Sequence, residues 1–149
     1  MKNNIIILGV LSLFVTVGFS QDRAFQIYNA DGKKVSYRIF SQSCAKADVV
    51  LFGENHNDPI SHWLQLELTK SLFEEHGENL MLGAEMIESD NQVVLDEYLL
   101  GFIREKDFEK EAKIWPNHKT DYRPLLSFAK ENNLHFVATN IPRRFANMV

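Results

Sequence analysis

A single cysteine, Cys44, stands among the 149 residues, so no disulfide can form within the chain. In an oxidising compartment a lone thiol is tolerated when it packs as a small hydrophobe, and the segment around Cys44 offers no neighbours suited to a thiolate ligand site. Charge of one sign is also missing: 16 Lys and Arg stand against 20 Asp and Glu, interspersed, for a formal net charge of −4. Without a basic stripe the chain lacks the electrostatic footprint of a nucleic-acid binder, and bulk charge selects no partner. Internal repeats and low-complexity stretches are absent. What is there is ordinary for a soluble globular protein: 45% apolar and 24% charged residues, on a length that suits one domain with a real core. Function must therefore come from a site.

The longest apolar run, Ile5 to Val17, is too short to cross a bilayer comfortably and is followed directly by polar residues. Lys2 precedes it, and Gly18 and Ser20 put small residues at the −3 and −1 positions of a cut before Gln21. Residues 1–20 are accordingly predicted to be a cleaved signal peptide, with an uncleaved anchor as the alternative, and the mature chain to be periplasmic or secreted. No cysteine follows the run, so a lipoprotein cut has no residue to modify.

Beyond residue 20 the pattern predicts an α/β fold. Phe25–Tyr28 and Lys34–Ile39 are β-prone and flank Asn29-Ala30-Asp31-Gly32, a hairpin signal. Asp48–Gly53 is continuously apolar, as a strand buried on both faces would be, and Leu80–Ala84 and Leu134–Thr139 repeat that pattern. A helix is predicted to start with Asp58 as cap and Pro59 in the first turn, to present Ile60, Trp63, Leu64, Leu68 and Leu72 on one face, and to stop at Gly77. Asp90 is predicted to cap a helix bearing Val94, Leu95, Tyr98, Leu99 and Phe102. Arg104–Ile114 reads as a solvated helix ended by Pro116, Asp121 as the cap of a further helix carrying Tyr122, Leu125, Leu126 and Ala129, and Arg143–Val149 as the opening of another. Strand, helix, strand, helices, strand is the order of a parallel sheet flanked by helices. Three such strands are few, so the domain is expected to be incomplete at its C-terminal end.

Residues with chemistry recur at the ends of the three predicted strands: Glu54 and His56 after the first, Glu85 after the second, Asn140 and Arg143 after the third. Ligands of open α/β sheets bind along that edge. Glu54 and His56, two apart, share one side of an extended chain and can hydrogen-bond or hold a divalent metal together with Glu85. The nearby positive end of the Asp58 helix disfavours imidazolium, so His56 is expected to be neutral and ligand-competent. Structural alternatives stand beside each: Glu54 serving the following turn, His56 as a loop histidine, Glu85 paired with Arg143 or Arg144, and Tyr122 as core with its hydroxyl at the rim. His62, His76, His118 and His135 read as surface or helix residues.

Four segments together resemble a known family. Gly53-Glu54-Asn55-His56 with Asp58-Pro59 and His62, then Gly83-Ala84-Glu85-Met86, then Trp115 with Tyr122-Arg123-Pro124-Leu125-Leu126, then Asn140-Ile141-Pro142-Arg143-Arg144 are similar to the motifs of ChaN-like haem-binding proteins of the Tiki superfamily. The resemblance runs from about Asp31 to the end and implies that residues 21–149 form a ChaN-like α/β domain. It further implies an exported haem-binding protein of haem and iron uptake or trafficking, with haem at a homodimer contact and an outer-membrane haem uptake system as a possible partner. Within that reading Tyr122 is the first candidate axial ligand, His56 the second and His118 the third. Arg143 or Arg123 is expected at the propionates, with Asn140 beside them. The superfamily also holds metal-dependent hydrolases, in which Glu54, His56 and Glu85 would be the catalytic, metal-holding set. The chain departs from many members of the family in lacking a lipid-bearing cysteine.

Overall fold

The structure, a computed structural model, describes residues 24–146 and Met148. The predicted signal peptide, residues 1–20, and its cut before Gln21 lie outside the described residues. The turn signal at the hairpin acts as its chemistry dictates. Asn29 Oδ1 accepts from the Asp31 and Lys33 amides at 3.1 and 2.9 Å, and Gly32 takes a φ of 72°. Strands β1 (Ile27–Tyr28) and β2 (Lys34–Val35) then pair antiparallel, Ile27 opposite Val35. The second strand is shorter than predicted. Ser36 accepts from the Ile39 amide at 3.3 Å and caps helix α1, Tyr37–Cys44, over residues whose β propensity pointed to a strand as far as Ile39. Cys44 is thus the last residue of a helix, partly buried, and desolvation pushes its thiol up.

Helix α2, Pro59–His76, begins as predicted: Asp58 accepts from the Ile60 amide at 3.0 Å and from Ser61 Oγ at 2.9 Å. It ends at Gly77, whose φ of 56° and bond to the Phe73 carbonyl stop the helix. Strand β3, Met81–Glu88, runs parallel to β4, His135–Asn140, with Leu82 opposite Phe136 and Ala84 opposite Ala138. The register shifts between Ala84 and Glu88, so that Glu88 meets Asn140. Alternation puts Ala84, Met86, Phe136 and Ala138 on the covered face. There they meet Leu95 and Tyr98 of α3 (Gln92–Leu99), Phe108 of α4 (Glu105–Glu111), and Leu126 and Ala129 of α5 (Arg123–Glu131). Met81 and Val137, on the other face, are exposed. Helix α6, Arg143–Ala146, follows β4.

Four expectations are corrected here. Asp48–Gly53 is no strand: it is unpaired, with Val49 73% and Leu51 92% exposed. The Glu54 side chain ties the segment's end to helices instead, through Gln65 of α2 and Tyr122. The outer edge of β4 is occupied by the Gln92 side-chain amide, which donates to the Phe136 carbonyl at 3.0 Å and accepts from the Ala138 amide at 2.7 Å. Glu85 lies within β3 rather than after it, because that strand continues to Glu88. The charged helix α4 is not merely solvated, since Phe108 is 0% exposed and stacks on Tyr98 at 4.8 Å. Asp90 and Asp121 cap no helix. Asp90 pairs with Arg144 and Lys113, and Asp121 lies inside a wide π turn, His118–Tyr122, that runs straight into α5.

Candidate functional site

The site is built around a carboxylate. Glu54 leaves the extended segment and enters a crevice between α2 and the π turn, where its side chain is only 5% exposed. Burying a carboxylate without partners is costly, and the surrounding helices supply them. Tyr122 donates its hydroxyl to Oε1 at 2.8 Å, Gln65 donates to Oε2 at 2.6 Å, and His56 Nδ1 lies 3.1 Å from Oε1. Burial pushes the Glu54 carboxyl up. The bonds from Tyr122, His56 and Gln65, with the field of His62, outweigh that effect and hold it below the usual carboxylate range. The opposite holds for the phenol. Burial, then its bond to Glu54, raises Tyr122 from 10.0 to about 12.

His56 is gripped at both ends. Its Nδ1 faces the carboxylate and therefore donates, which leaves Nε2 as the ring nitrogen not engaged by Glu54. Its backbone carbonyl accepts from Asn117 Nδ2 at 2.9 Å and from His62 Nε2 at 3.1 Å. Asn117 is fixed in turn by donating to Asp121 Oδ2 at 2.8 Å. The Trp115 ring meets the His56 imidazole edge-on at 4.8 Å and the Tyr122 ring at 5.7 Å. The His56 side chain is nonetheless 52% exposed, although Glu54 holds its Nδ1 and Asn117 and His62 hold its backbone carbonyl.

His62, read from the sequence as a surface or helix residue, lies in α2 and is buried, at 5% exposure. Its Nε2 must carry the proton it gives to the His56 carbonyl, and its Nδ1 approaches Glu54 Oε2 at 3.1 Å from a direction that makes no hydrogen bond. The Tyr122 ring covers it at 4.7 Å. The signal that finds it is helical spacing: His62, Gln65 and Thr69 fall on the stripe that ends in buried Leu72. His118 is likewise buried, beside Phe108 at 6.1 Å, and desolvation lowers its pKa below 6.5.

Of the residues expected at the site, the fold gathers Glu54, His56 and Tyr122. Glu85 is exposed on β3 and, among the described residues, neither bonds to that group nor pairs with Arg143 or Arg144. Asn140 closes β4 and Arg143 opens α6, exposed; Arg123 pairs with Glu105 at 3.1 Å. Among the described residues no group of three or more His, Cys, Asp and Glu side chains is arranged to hold a metal ion. No helix among them is long and apolar enough to cross a membrane.

Fold and site together define a small α/β domain with a parallel sheet, carrying a solvent-facing histidine braced by a buried carboxylate. Residues 40–149 match the family described as haem-binding uptake, Tiki superfamily, ChaN, and the chain belongs to that family. No curated protein matches it. No solved structure matches it either.

Proposed function

We propose that the chain is an exported haem-binding protein of haem and iron uptake or trafficking, with His56 as its iron ligand. The observation that carries this reading is the ring's bracing: Nδ1 is committed to Glu54 in a side chain that is 52% exposed, and a carboxylate on one ring nitrogen is what fixes the tautomer of metal-ligating histidines. The donor set thus fits haem, which would supply a ferric iron for that nitrogen and two propionates for a cation. Arg143, exposed and without an ion pair among the described residues, suits a propionate, with Asn140 three residues before it. Tyr122 suits the iron less well, because its proton is given to Glu54 and its ionisation is pushed up to about 12. His118 is enclosed by core side chains. Export rests on the Lys2, Ile5–Val17 and Ser20 pattern, and the homodimer and outer-membrane partner on the family resemblance.

The hydrolase alternative would use Glu54 and His56 with Glu85 around a divalent ion, and it has less support because Glu85 does not join them. Titration of the purified full chain with ferric haem tests the proposal. A Soret shift at equimolar haem that survives Tyr122→Phe and disappears in His56→Ala is expected. No shift in the wild type overturns haem binding, and loss in Tyr122→Phe with retention in His56→Ala overturns the choice of ligand.

A further inference from the structure

We propose that the groove between the N-terminal hairpin and α2 is a binding site for a long-chain fatty acid, with Arg38 holding its carboxylate. No residue of the Glu54–His56 group lines this groove, so the inference stands apart from the haem-binding reading. The groove has a volume of about 480 Å³, within the roughly 300–1,000 Å³ of small-ligand sites. Its walls are apolar: Phe25 leads into β1, Ile27 lies on that strand, Val35 ends β2 and Trp63 comes from α2. The helix that buries Leu68 and Leu72 leaves Trp63 47% exposed, with the Phe25 ring 5.7 Å away and tilted by 56°. Tilted rings form no parallel slot for a flat aromatic ligand, whereas a flexible hydrocarbon chain follows such a wall.

The polar side chains of the lining decide the head group. Gln26 donates to the Ile27 carbonyl at 3.2 Å, Ser36 Oγ accepts from the Ile39 amide at 3.3 Å, and the Tyr37 hydroxyl pairs with Ser71 Oγ at 3.1 Å. Two groups of the lining have no side-chain partner among the described residues: the Arg38 guanidinium, exposed on the first turn of α1, and the Trp63 indole N–H. Both are donors only, and the guanidinium is permanently charged. The complementary ligand brings acceptor oxygens and negative charge at one end and apolar surface over the rest, which is the chemistry of an ionised fatty acid. A sugar or a peptide would bring more polar groups against the apolar walls than two donors can pair.

Titration calorimetry of the full chain with dodecanoate below its micellar concentration, followed in parallel by tryptophan emission, tests the proposal. One dodecanoate per chain is expected, with a blue shift that persists in Trp115→Phe, where Trp63 is the remaining indole. Should Trp115→Phe fail to fold, Trp63→Phe makes the same point by losing the shift. Decanoate should bind more weakly, by up to about fourfold for each methylene removed. Arg38→Gln should weaken dodecanoate about tenfold, Arg38→Lys less, and dodecyltrimethylammonium, with the same tail and the opposite charge, should not bind at the same concentration. Absence of heat and of any emission shift with dodecanoate overturns the site. Equal binding of the ammonium analogue, or an unchanged affinity in Arg38→Gln, overturns the role of Arg38 and with it the fatty-acid assignment.

Discussion

Removing one oxygen, in Tyr122→Phe, isolates the bond on which the site's geometry depends. The ring is packed by His62 at 4.7 Å and Trp115 at 5.7 Å, and phenylalanine keeps those contacts. What goes is the 2.8 Å bond to Glu54 Oε1. A hydrogen bond to an ionised group contributes about 1.5–3 kcal/mol, and because His56 and Gln65 still serve the carboxylate, the loss should fall near the lower end, about 1.5–2 kcal/mol. Urea unfolding at neutral pH reads it as a lower midpoint at unchanged slope. The pH dependence gives the sharper check. Glu54 has a folded pKa below its ordinary 4.5, so its contribution is fully present above 4.5 and is lost as pH falls through the lowered value. In Tyr122→Phe the folded value moves back toward 4.5, less remains to be lost, and the gap between the proteins narrows on acidification. A gap below about 0.5 kcal/mol at neutral pH, or one that widens in acid, refutes the account of Glu54 as an ionised, hydrogen-bonded centre.

Phe108→Ala removes a fully buried ring from beneath α4 and should cost about 3–5 kcal/mol in the same unfolding assay, against less than about 0.5 kcal/mol for Lys106→Ala on the same helix. Gln92→Ala strips two backbone partners from β4 and should cost about 1–3 kcal/mol; light scattering should also show stronger self-association through the exposed strand edge. His118 has a folded pKa below 6.5, so protonation favours the unfolded chain: stability present above 6.5 should decline as pH falls below it. His118→Leu should flatten that slope, measured as urea midpoints across the range, and an unchanged slope would assign the acid sensitivity elsewhere.

The elements governed by local chemistry were legible before any coordinates. Asp58-Pro59 and Gly77 bound α2, Asp31-Gly32 turns the hairpin, and the apolar runs of β3 and β4 pair in parallel. Asp48–Gly53 shows the limit of such patterns: an apolar run becomes a strand only where the chain carries it to a sheet edge, and the Glu54 side chain anchors this segment's end on α2 and the π turn instead. At the site, Glu54 and His56 could be paired from their spacing alone. Tyr122 was found through its motif, although its attachment to Glu54 spans 68 residues and nothing local encodes it. His62 escaped because a histidine in a helix is usually a surface residue. Only the company of Gln65 and Thr69 on the inward stripe marks it as buried.

The π turn at His118–Tyr122 has a consequence for how this chain tolerates change. Such a turn holds one more residue than a regular helical turn, and each helical residue advances the chain by about 100°. Deleting a single residue there would let the coil tighten into an ordinary helix, and the phenol and the asparagine upstream of it would no longer aim at the same place. Their distances to Glu54 and to the His56 carbonyl would be lost together while α5 itself stayed helical. In this segment, length is under tighter control than identity: many single replacements would leave the spiral's phase alone, but no one-residue indel would.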